Sequence, residues 1–204
     1  MSPSERYVRI AEALADPGWC ILPQFLSVQQ VDALAATCSA AWNERAFRPA
    51  GVGSGDDWHL RPEVRSDYVL WLEEADASPE QKHYSDELES LRLAINSALY
   101  LGLFEFEGHL TVYPPGAFYR RHLDQFRAVG YRKVSCILYL NSDWRAEDGG
   151  ALRLYTDLSN DAIYQDVYPQ GGTLVCFLSN LIYHEVLPAT RERMSLTGWF
   201  RTRD

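Results

Sequence analysis

Apolar residues in the first hundred positions recur at helical spacing in three segments. Residues 4–15 carry apolar side chains three or four positions apart, and a proline and a glycine end the run. A second segment begins at Ser27, with Gln30 at the position that completes a capping box. A third begins at Ser78-Pro79 and runs to about Tyr100. This pattern predicts three helices, of which the first two cover one face of a sheet.

The pattern changes after residue 102. Short runs of β-type residues follow one another between turn signals, and about eight strands fit between Phe104 and Thr202. A further short strand is expected at 19–22. Many short strands after a helical block predict an α+β fold with a mainly β core: a jelly roll, or double-stranded β-helix, with N-terminal helices packed on one face.

The length of 204 residues and the lack of repeats or low-complexity linkers predict a single domain over residues 1–204. In it, residues 1–100 form the helical support and a mobile loop, and residues 101–204 form the jelly-roll core. Within the first half, the Gly-rich residues 48–57 are predicted to be a mobile loop. Residues 63–72 alternate irregularly and are predicted to be a strand that enters a flexible loop ending near Ser78.

Composition narrows the class of protein. A formal net charge of −9 argues against nucleic acid or an anionic membrane as the main partner, because both require a basic surface. The four cysteines lie far apart in apolar runs without a C-x-x-C spacing, which favours buried free thiols in a reducing compartment. The N-terminus lacks an apolar signal region, and no apolar run approaches membrane-spanning length. We therefore expect a cytoplasmic protein.

Basic residues are concentrated between Arg120 and Lys133, where five of them accompany the single acid Asp124. A local positive field in an acidic protein suits a small anionic ligand. The alternative is a solvated basic edge strand.

The segment 119–124 contains the spacing His122-x-Asp124. Alternate side chains of a strand point the same way, so an imidazole and a carboxylate would leave one face together. His184, sixty residues later, would complete a two-histidine-one-carboxylate metal site with three open octahedral positions, enough for a bidentate co-substrate and dioxygen. The alternative is a strand histidine beside a solvated aspartate. His59 and His109 are interpreted as structural residues and His83 as a surface residue.

An anion-binding group is expected near the end of the chain. If residues 193–200 form a strand, Arg193, Ser195, Thr197 and Trp199 share one face. An arginine directed into an apolar barrel is costly unless an anion meets it, and its forked donors suit a carboxylate. Tyr139 shares a face with Ser135 and Ile137, so its hydroxyl could contact the same carboxylate. The alternative for Arg193 is pairing with one of the many acidic residues.

Together these residues resemble the 2-oxoglutarate/Fe(II)-dependent dioxygenases, and in particular the prolyl hydroxylases of the hypoxia-inducible-factor type and their bacterial relatives. Several finer features carry that resemblance: Tyr113-Pro114, Tyr119 before His122, the run from Arg132 to Asn141, Gly149-Gly150, Trp199 six residues after Arg193, and Arg65-x-Asp67-x-x-x-Trp71 upstream. The resemblance covers roughly residues 65–201.

The resemblance implies Fe(II) held by His122, Asp124 and His184, and 2-oxoglutarate and O2 as co-substrates, with ascorbate as a reductant. It also implies that Arg193 and Tyr139 hold the far carboxylate of 2-oxoglutarate. The reaction would hydroxylate a prolyl residue of a protein and release succinate and CO2. The resemblance to bacterial relatives implies a translation factor as that protein substrate.

The resemblance further assigns parts to residues around the metal. Tyr113 and Tyr119 would line the co-substrate pocket. Arg132 and Trp199 would border the substrate, with Asp67 paired to Arg132 and Arg65 near the hinge of the substrate loop.

Differences from the animal enzymes leave the substrate open. The segment from Tyr113 to His122 is one residue shorter, and the Gly-rich loop at 51–55 has no counterpart. The alternatives are the same chemistry on a free amino acid or another small metabolite, or a jelly-roll protein that binds a metal or ligand without turnover. A nucleic-acid demethylase is disfavoured by the net charge, and a halogenase by Asp124 at the ligand position.

Overall fold

Three helices precede most of the strands. A computed structural model describes residues 3–53, 58–73, 77–125, 130–157 and 159–203. The helices are α1 (Pro3–Ala15), α2 (Val28–Asn43) and α3 (Pro79–Leu99). Ser27 and Ser78 cap α2 and α3 through capping boxes completed by Gln30 and Gln81. The three predicted helices and the α2 capping box are therefore confirmed. No helix among the described residues is long and apolar enough to cross a membrane.

The strands of the described chain form two antiparallel sheets. They are β1 (Trp19–Leu22), β2 (Arg48–Pro49), β3 (Tyr68–Trp71), β4 (Glu105–Tyr113), β5 (Tyr119–His122), β6 (Arg132–Tyr139), β7 (Leu152–Tyr155), β8 (Tyr164–Val167), β9 (Leu174–Leu178), β10 (Tyr183–Val186) and β11 (Arg193–Arg201). The larger sheet has the order β1-β9-β6-β11-β4-β3-β2, and the smaller has the order β5-β10-β7-β8. The eight strands β4 to β11 agree with the number expected after Phe104, and the predicted double-stranded β-helix is confirmed.

Alternation along the central strands divides the molecule into two cores. On β6, Val134, Cys136 and Leu138 pack toward the helices. Ile137 and Tyr139 belong instead to a second core, which contains apolar residues of both sheets. This follows from the period of two in a strand, which sends neighbouring side chains to opposite faces. The predicted face of Ser135, Ile137 and Tyr139 therefore lies between the sheets.

The helices cover the outer face of the larger sheet. Ile10 of α1, Leu34 of α2 and Leu91 of α3 are buried in the same cluster as residues of β4, β6, β9 and β11. The prediction that the first two helices cover one face is confirmed, and α3 adds to that layer. The other face of this sheet is left to line the space between the sheets.

The segment between α2 and α3 differs from the prediction. Residues 48–57 are not a loop throughout: Arg48 and Pro49 form β2, and Val52 bridges to His59. Residues 54–57, including Gly55, lie outside the described residues. The strand predicted over 63–72 is confined to Tyr68–Trp71, because residues 62–64 form a turn in which Val64 and Arg65 donate to the carbonyl of Arg61. The prediction of one domain over residues 1–204 stays a prediction.

Candidate active site

The three predicted metal ligands meet between the two sheets. His122 and His184 are directly opposite each other in the β5–β10 pairing. Asp124 follows β5, and its Oδ1 lies 3.4 Å from His122 Nε2 and 3.6 Å from His184 Nε2. The potential ligand atoms of the three side chains all lie within 4.8 Å of one another, which is the spacing that a shared metal ion requires.

The two imidazoles are oriented for ligation through the same nitrogen. His122 Nδ1 donates to the carbonyl of Arg120 at 2.7 Å, and His184 Nδ1 donates to the carbonyl of Ile182 at 3.1 Å. A backbone carbonyl can only accept, so each Nδ1 carries the proton and each Nε2 lone pair is available to a metal. Such backbone contacts fix the tautomer of metal-binding histidines.

The electrostatics favour the metal-binding protonation states. Burial, reinforced by His184, lowers the pKa of His122 to about 4. Burial alone would raise the pKa of Asp124, but His184 and His122 outweigh it and hold that pKa well below its usual range. At neutral pH, His122 is therefore uncharged and Asp124 is a carboxylate, as metal coordination requires.

Arg193 is a buried cation that lines the same cavity as the triad. It is 2% exposed, its Nε donates to the carbonyl of Gly150 at 3.0 Å, and its Cζ lies 5.0 Å from the ring centres of both Tyr113 and Tyr139. Gly150 has a φ of +69°, and a Cβ there would come 2.9 Å from Ala189 Cβ. A glycine is needed for this close approach.

Tyr139 contributes a polar group without a partner. Its Oη is buried and makes no hydrogen bond within the described chain. Burial raises the pKa of Tyr139 to about 12, with Arg193 opposing the rise, so the phenol stays protonated as a donor. An orphaned buried hydroxyl is costly, and a carboxylate bound at Arg193 would relieve it.

The other predicted co-substrate residues line the same cavity. Tyr119 stacks on the ring of His122 with 3.5 Å between centroids, and Tyr113 is buried next to Arg193. Ser195 is buried on β11, where its hydroxyl lies 3.2 Å from that of Thr197. We define the inner end of the cavity as its lining residues His122, Asp124, His184, Tyr113, Tyr119, Arg193 and Ser195, together with Tyr139, which lies behind them next to Arg193.

The cavity, of about 720 Å³, continues from the inner end past an aromatic group. We call Trp71, His109, Arg132 and Trp199 its outer end. The ring of His109 lies edge-on to Trp71 at 4.9 Å and to Trp199 at 5.5 Å, and Arg132 Cζ lies 3.5 Å from the Trp199 ring centre. Trp71 is 48% exposed, so this end opens to solvent.

The predicted pairing of Asp67 with Arg132 is wrong. Arg65 contacts both carboxylate oxygens of Asp67, at 2.8 and 2.5 Å, and Arg132 pairs instead with Glu107. Asp67 is fully buried two residues from Arg65, which provides a local, forked partner. Arg132 forms its ion pair with Glu107 of β4 instead. Arg65 also lies over the ring of Tyr119, at 4.2 Å, and thereby supports the inner end.

The run of basic residues between Arg120 and Lys133 does not supply the anion site. Arg120 Nε donates to the carbonyl of Glu63, and Arg121 pairs with Asp161 on the outside of the smaller sheet. Arg127 lies outside the described residues. Arg120 and Arg121 therefore fit the alternative interpretation, a solvated basic edge strand. The buried cation that we assign to the anion site is Arg193.

Four residues of the site were missed or left without a part in the sequence reasoning. His109 was set aside as structural but lines the cavity, where its Nδ1 lies 2.9 Å from the hydroxyl of Thr111. Glu107 binds Arg132 and Arg201. Ser135 and Ser179 support Asp124. The alternation of β4 could have placed Glu107 and His109 on the cavity face, because both share a face with Tyr113. Ser135 was placed on the face of Tyr139 but given no part, and Ser179, in a turn after β9, carries no such signal.

Comparison with known proteins identifies the family. The model of the 2OG-Fe(II) oxygenase superfamily matches residues 108–201. A crystal structure of a Pseudomonas putida prolyl-4-hydroxylase is 44% identical, with a TM-score of 0.86 over 97% of this chain and 100% of that one. A Trichoplax adhaerens prolyl hydroxylase, solved with a hypoxia-inducible-factor peptide fragment, shares the fold at 23% identity, with a TM-score of 0.88 over 98% of this chain and 90% of that one.

Among curated proteins, the Caenorhabditis elegans hypoxia-inducible factor prolyl hydroxylase is 27% identical over 96% of this chain and 28% of its own length. Human Egl nine homolog 1 is 32% identical over 68% of this chain and 33% of its own length. The chain thus spans about a third or less of these two relatives. The fold, the site and these similarities together show that the chain belongs to the prolyl hydroxylases of the 2OG-Fe(II) oxygenase superfamily.

The residues present fit the cofactors of that superfamily. Two Nε2 atoms and one carboxylate oxygen converge without a fourth ligand among the described residues, which leaves coordination positions for 2-oxoglutarate and O2. Arg193 lines the same cavity as the triad, and the Tyr139 hydroxyl next to it has no partner among the described residues, so both could donate to a carboxylate. Fe(II), 2-oxoglutarate and O2 are therefore the cofactor and co-substrates.

Proposed function

We propose that this chain hydroxylates a prolyl residue of a protein, with 2-oxoglutarate and O2 consumed and succinate and CO2 released. The observation that carries the proposal is the convergence of His122, Asp124 and His184 beside the buried Arg193. Bound Fe(II) with 2-oxoglutarate and O2 supplies the oxidant that replaces a prolyl C–H hydrogen by hydroxyl.

The inner end binds and orients 2-oxoglutarate. Arg193 and Tyr139 donate to its far carboxylate, which sets the distance of its 2-oxo acid end from the triad. Tyr113 and Tyr119 supply apolar ring surface around its carbon chain and limit the entry of water. Ser195, two residues from Arg193 on the same strand face, adds a hydroxyl near that carboxylate.

The outer end suits a prolyl peptide. Trp71, Trp199 and His109 present ring faces and edges, to which a pyrrolidine ring can pack. The indole N–H of Trp199 is buried and has no acceptor in the described chain. A prolyl residue has no backbone N–H and offers only a carbonyl, so an unpaired donor complements it. Arg132, stacked on Trp199, provides further donors at the same wall.

A protein rather than a free amino acid is the substrate that we propose. The cavity of about 720 Å³ exceeds what 2-oxoglutarate and one free amino acid fill, and it opens beside the exposed Trp71. Crystallisation of the Trichoplax relative with a peptide fragment supports a peptide in this space. A translation factor is the first target to test, as the resemblance to bacterial prolyl hydroxylases implies.

We also propose ascorbate as the reductant that sustains turnover and the cytoplasm as the location. The free state of all four cysteines supports a reducing compartment. Burial raises the pKa of the Cys38 thiol to about 12, which suits an inert structural thiol.

The test is mass spectrometry of host lysate treated with the purified chain, Fe(II), 2-oxoglutarate and ascorbate. We expect one or a few proteins to gain a single oxygen on proline, and no such gain with Asp124→Ala. Free proline, assayed in parallel, should not be consumed. Oxidation of free proline or of no protein at all would contradict the proposed substrate.

A further inference from the structure

Asp124 is held differently from the two histidines. His122 and His184 are paired across adjacent strands, and each has its ring fixed by a backbone carbonyl. Asp124 lies two residues beyond the end of β5, in a bend, so no strand pairing sets the direction of its carboxylate. Its orientation must come from side-chain contacts.

Two buried serines provide those contacts. Ser135 Oγ donates to Asp124 Oδ2 at 2.6 Å, and the hydroxyls of Ser135 and Ser179 lie 2.9 Å apart. A serine hydroxyl has one hydrogen, and that of Ser135 is given to the carboxylate. Ser179 therefore donates to Ser135, which gives a directed chain from Ser179 through Ser135 to Asp124. Hydrogen bonds in such a chain strengthen one another.

The two serines are themselves rigidly placed. Both are fully buried. Ser135 is in β6, between β11 and β9, where it lies opposite Trp199 and Phe177. The backbone of Ser179 accepts from Gln125, the residue after Asp124, at 3.2 Å, and donates to Lys133 at 3.0 Å. The chain of hydroxyls thus ties the carboxylate to the centre of the larger sheet.

We propose that Ser135 is a positioning residue that makes Asp124 a one-oxygen metal ligand, with Ser179 acting through Ser135. The short bond to Ser135 occupies Oδ2 and leaves Oδ1 directed at the two Nε2 atoms, 3.4 and 3.6 Å away. If both oxygens bound the metal, they would take a position that 2-oxoglutarate or O2 needs. The inference rests on the metal site of the proposed function.

The test is to measure Mn(II) binding to the full chain by calorimetry and by the electron paramagnetic resonance of the bound ion. Neither measurement requires turnover. Ser135→Ala should weaken Mn(II) binding roughly 10–100-fold, as loss of a partner behind a metal ligand typically does. Ser135→Thr keeps the hydroxyl and should bind about as tightly as the wild type. Ser179→Ala, which acts on Asp124 only through Ser135, should weaken Mn(II) binding about fivefold. Ser90→Ala, a surface serine on α3, should bind as the wild type does.

Thermal unfolding of the metal-free variants separates positioning from folding. Wild-type Mn(II) affinity in Ser135→Ala would overturn the proposal, whatever its stability. If Ser135→Ala does not fold, Ser179→Ala decides, and an unchanged affinity there would overturn the proposal as well. Failure of the wild type to bind Mn(II) is a different result: it would overturn the metal site of the proposed function and the role of Ser135 with it.

Discussion

The inner and outer ends of one cavity are built by different means. At the inner end, strand register and backbone carbonyls fix His122 and His184, and Arg193 is buried on the central strand β11. At the outer end, Trp71 is half-exposed and Arg132 pairs with Glu107 across the sheet. The metal-binding side chains of the inner end are therefore positioned before any ligand binds, while the outer end still has an exposed aromatic surface to be covered. That contrast suits fixed co-substrate chemistry and a separate surface for the protein substrate.

The largest effect is expected from removing a metal ligand at the inner end. Asp124→Ala deletes the anionic ligand, so succinate release from 2-oxoglutarate should fall roughly 100-fold or more. Peptide binding at the outer end should persist, because that end shares no contact with Asp124 among the described residues. Succinate assays with Fe(II) and ascorbate measure the first effect. Unchanged turnover would contradict the assignment of the triad.

The exclusion of water from the buried part of the outer end can be measured through His109. Burial lowers the pKa of His109 to about 4, below the ordinary value of 6.5. The unfolded chain then binds more protons than the folded chain between these values, so stability is full above pH 6.5 and is lost as the pH falls toward 4. Between pH 7 and pH 5 the loss due to His109 should be about 2 kcal/mol.

Urea unfolding of the metal-free protein at the two pH values measures that loss. His109→Phe does not titrate and should show a loss smaller by this amount, whereas the matched variant His83→Phe, at an exposed site, should behave as the wild type does. Equal pH dependence of His109→Phe and the wild type would show that His109 is hydrated in the folded chain.

A smaller effect at the inner end is expected from Arg193. Arg193→Ala removes the charge-assisted hydrogen bonds to the far carboxylate, which should raise the KM for 2-oxoglutarate about 10–100-fold. Mn(II) should still bind with wild-type affinity, since Arg193 is not a ligand. Initial rates over a range of 2-oxoglutarate concentrations measure the change. A wild-type KM would remove Arg193 from the co-substrate site.

The smallest effect is expected at the outer end. Trp199→Phe keeps a ring under Arg132 but deletes the indole N–H. The KM for the peptide substrate should therefore rise about fivefold. The KM for 2-oxoglutarate should not change. Trp42→Phe, in the helical layer, is the matched control. If the KM for 2-oxoglutarate rises instead, Trp199 belongs to the inner end.

The inner end was largely predictable from the sequence, and the outer end was not. His122, Asp124, His184 and Arg193 depend on short spacings and on the period of two in strands, both of which are local properties. The pairing of Asp67 was mispredicted because several arginines compete for one carboxylate, and their distances depend on the sheet as a whole. The contacts of His109 with Trp71 and Trp199 follow from the register of β4 with β3 and β11, which no local pattern encodes.

The ratio of succinate to hydroxyprolyl product tests most directly whether the two ends act on one reaction. Both are counted by mass spectrometry in a single incubation of the wild type with a protein substrate. We expect one succinate for each oxygen gained on proline, with both products absent when 2-oxoglutarate is withheld. Proline oxidation without 2-oxoglutarate, or succinate that never rises with the protein substrate, would contradict the account.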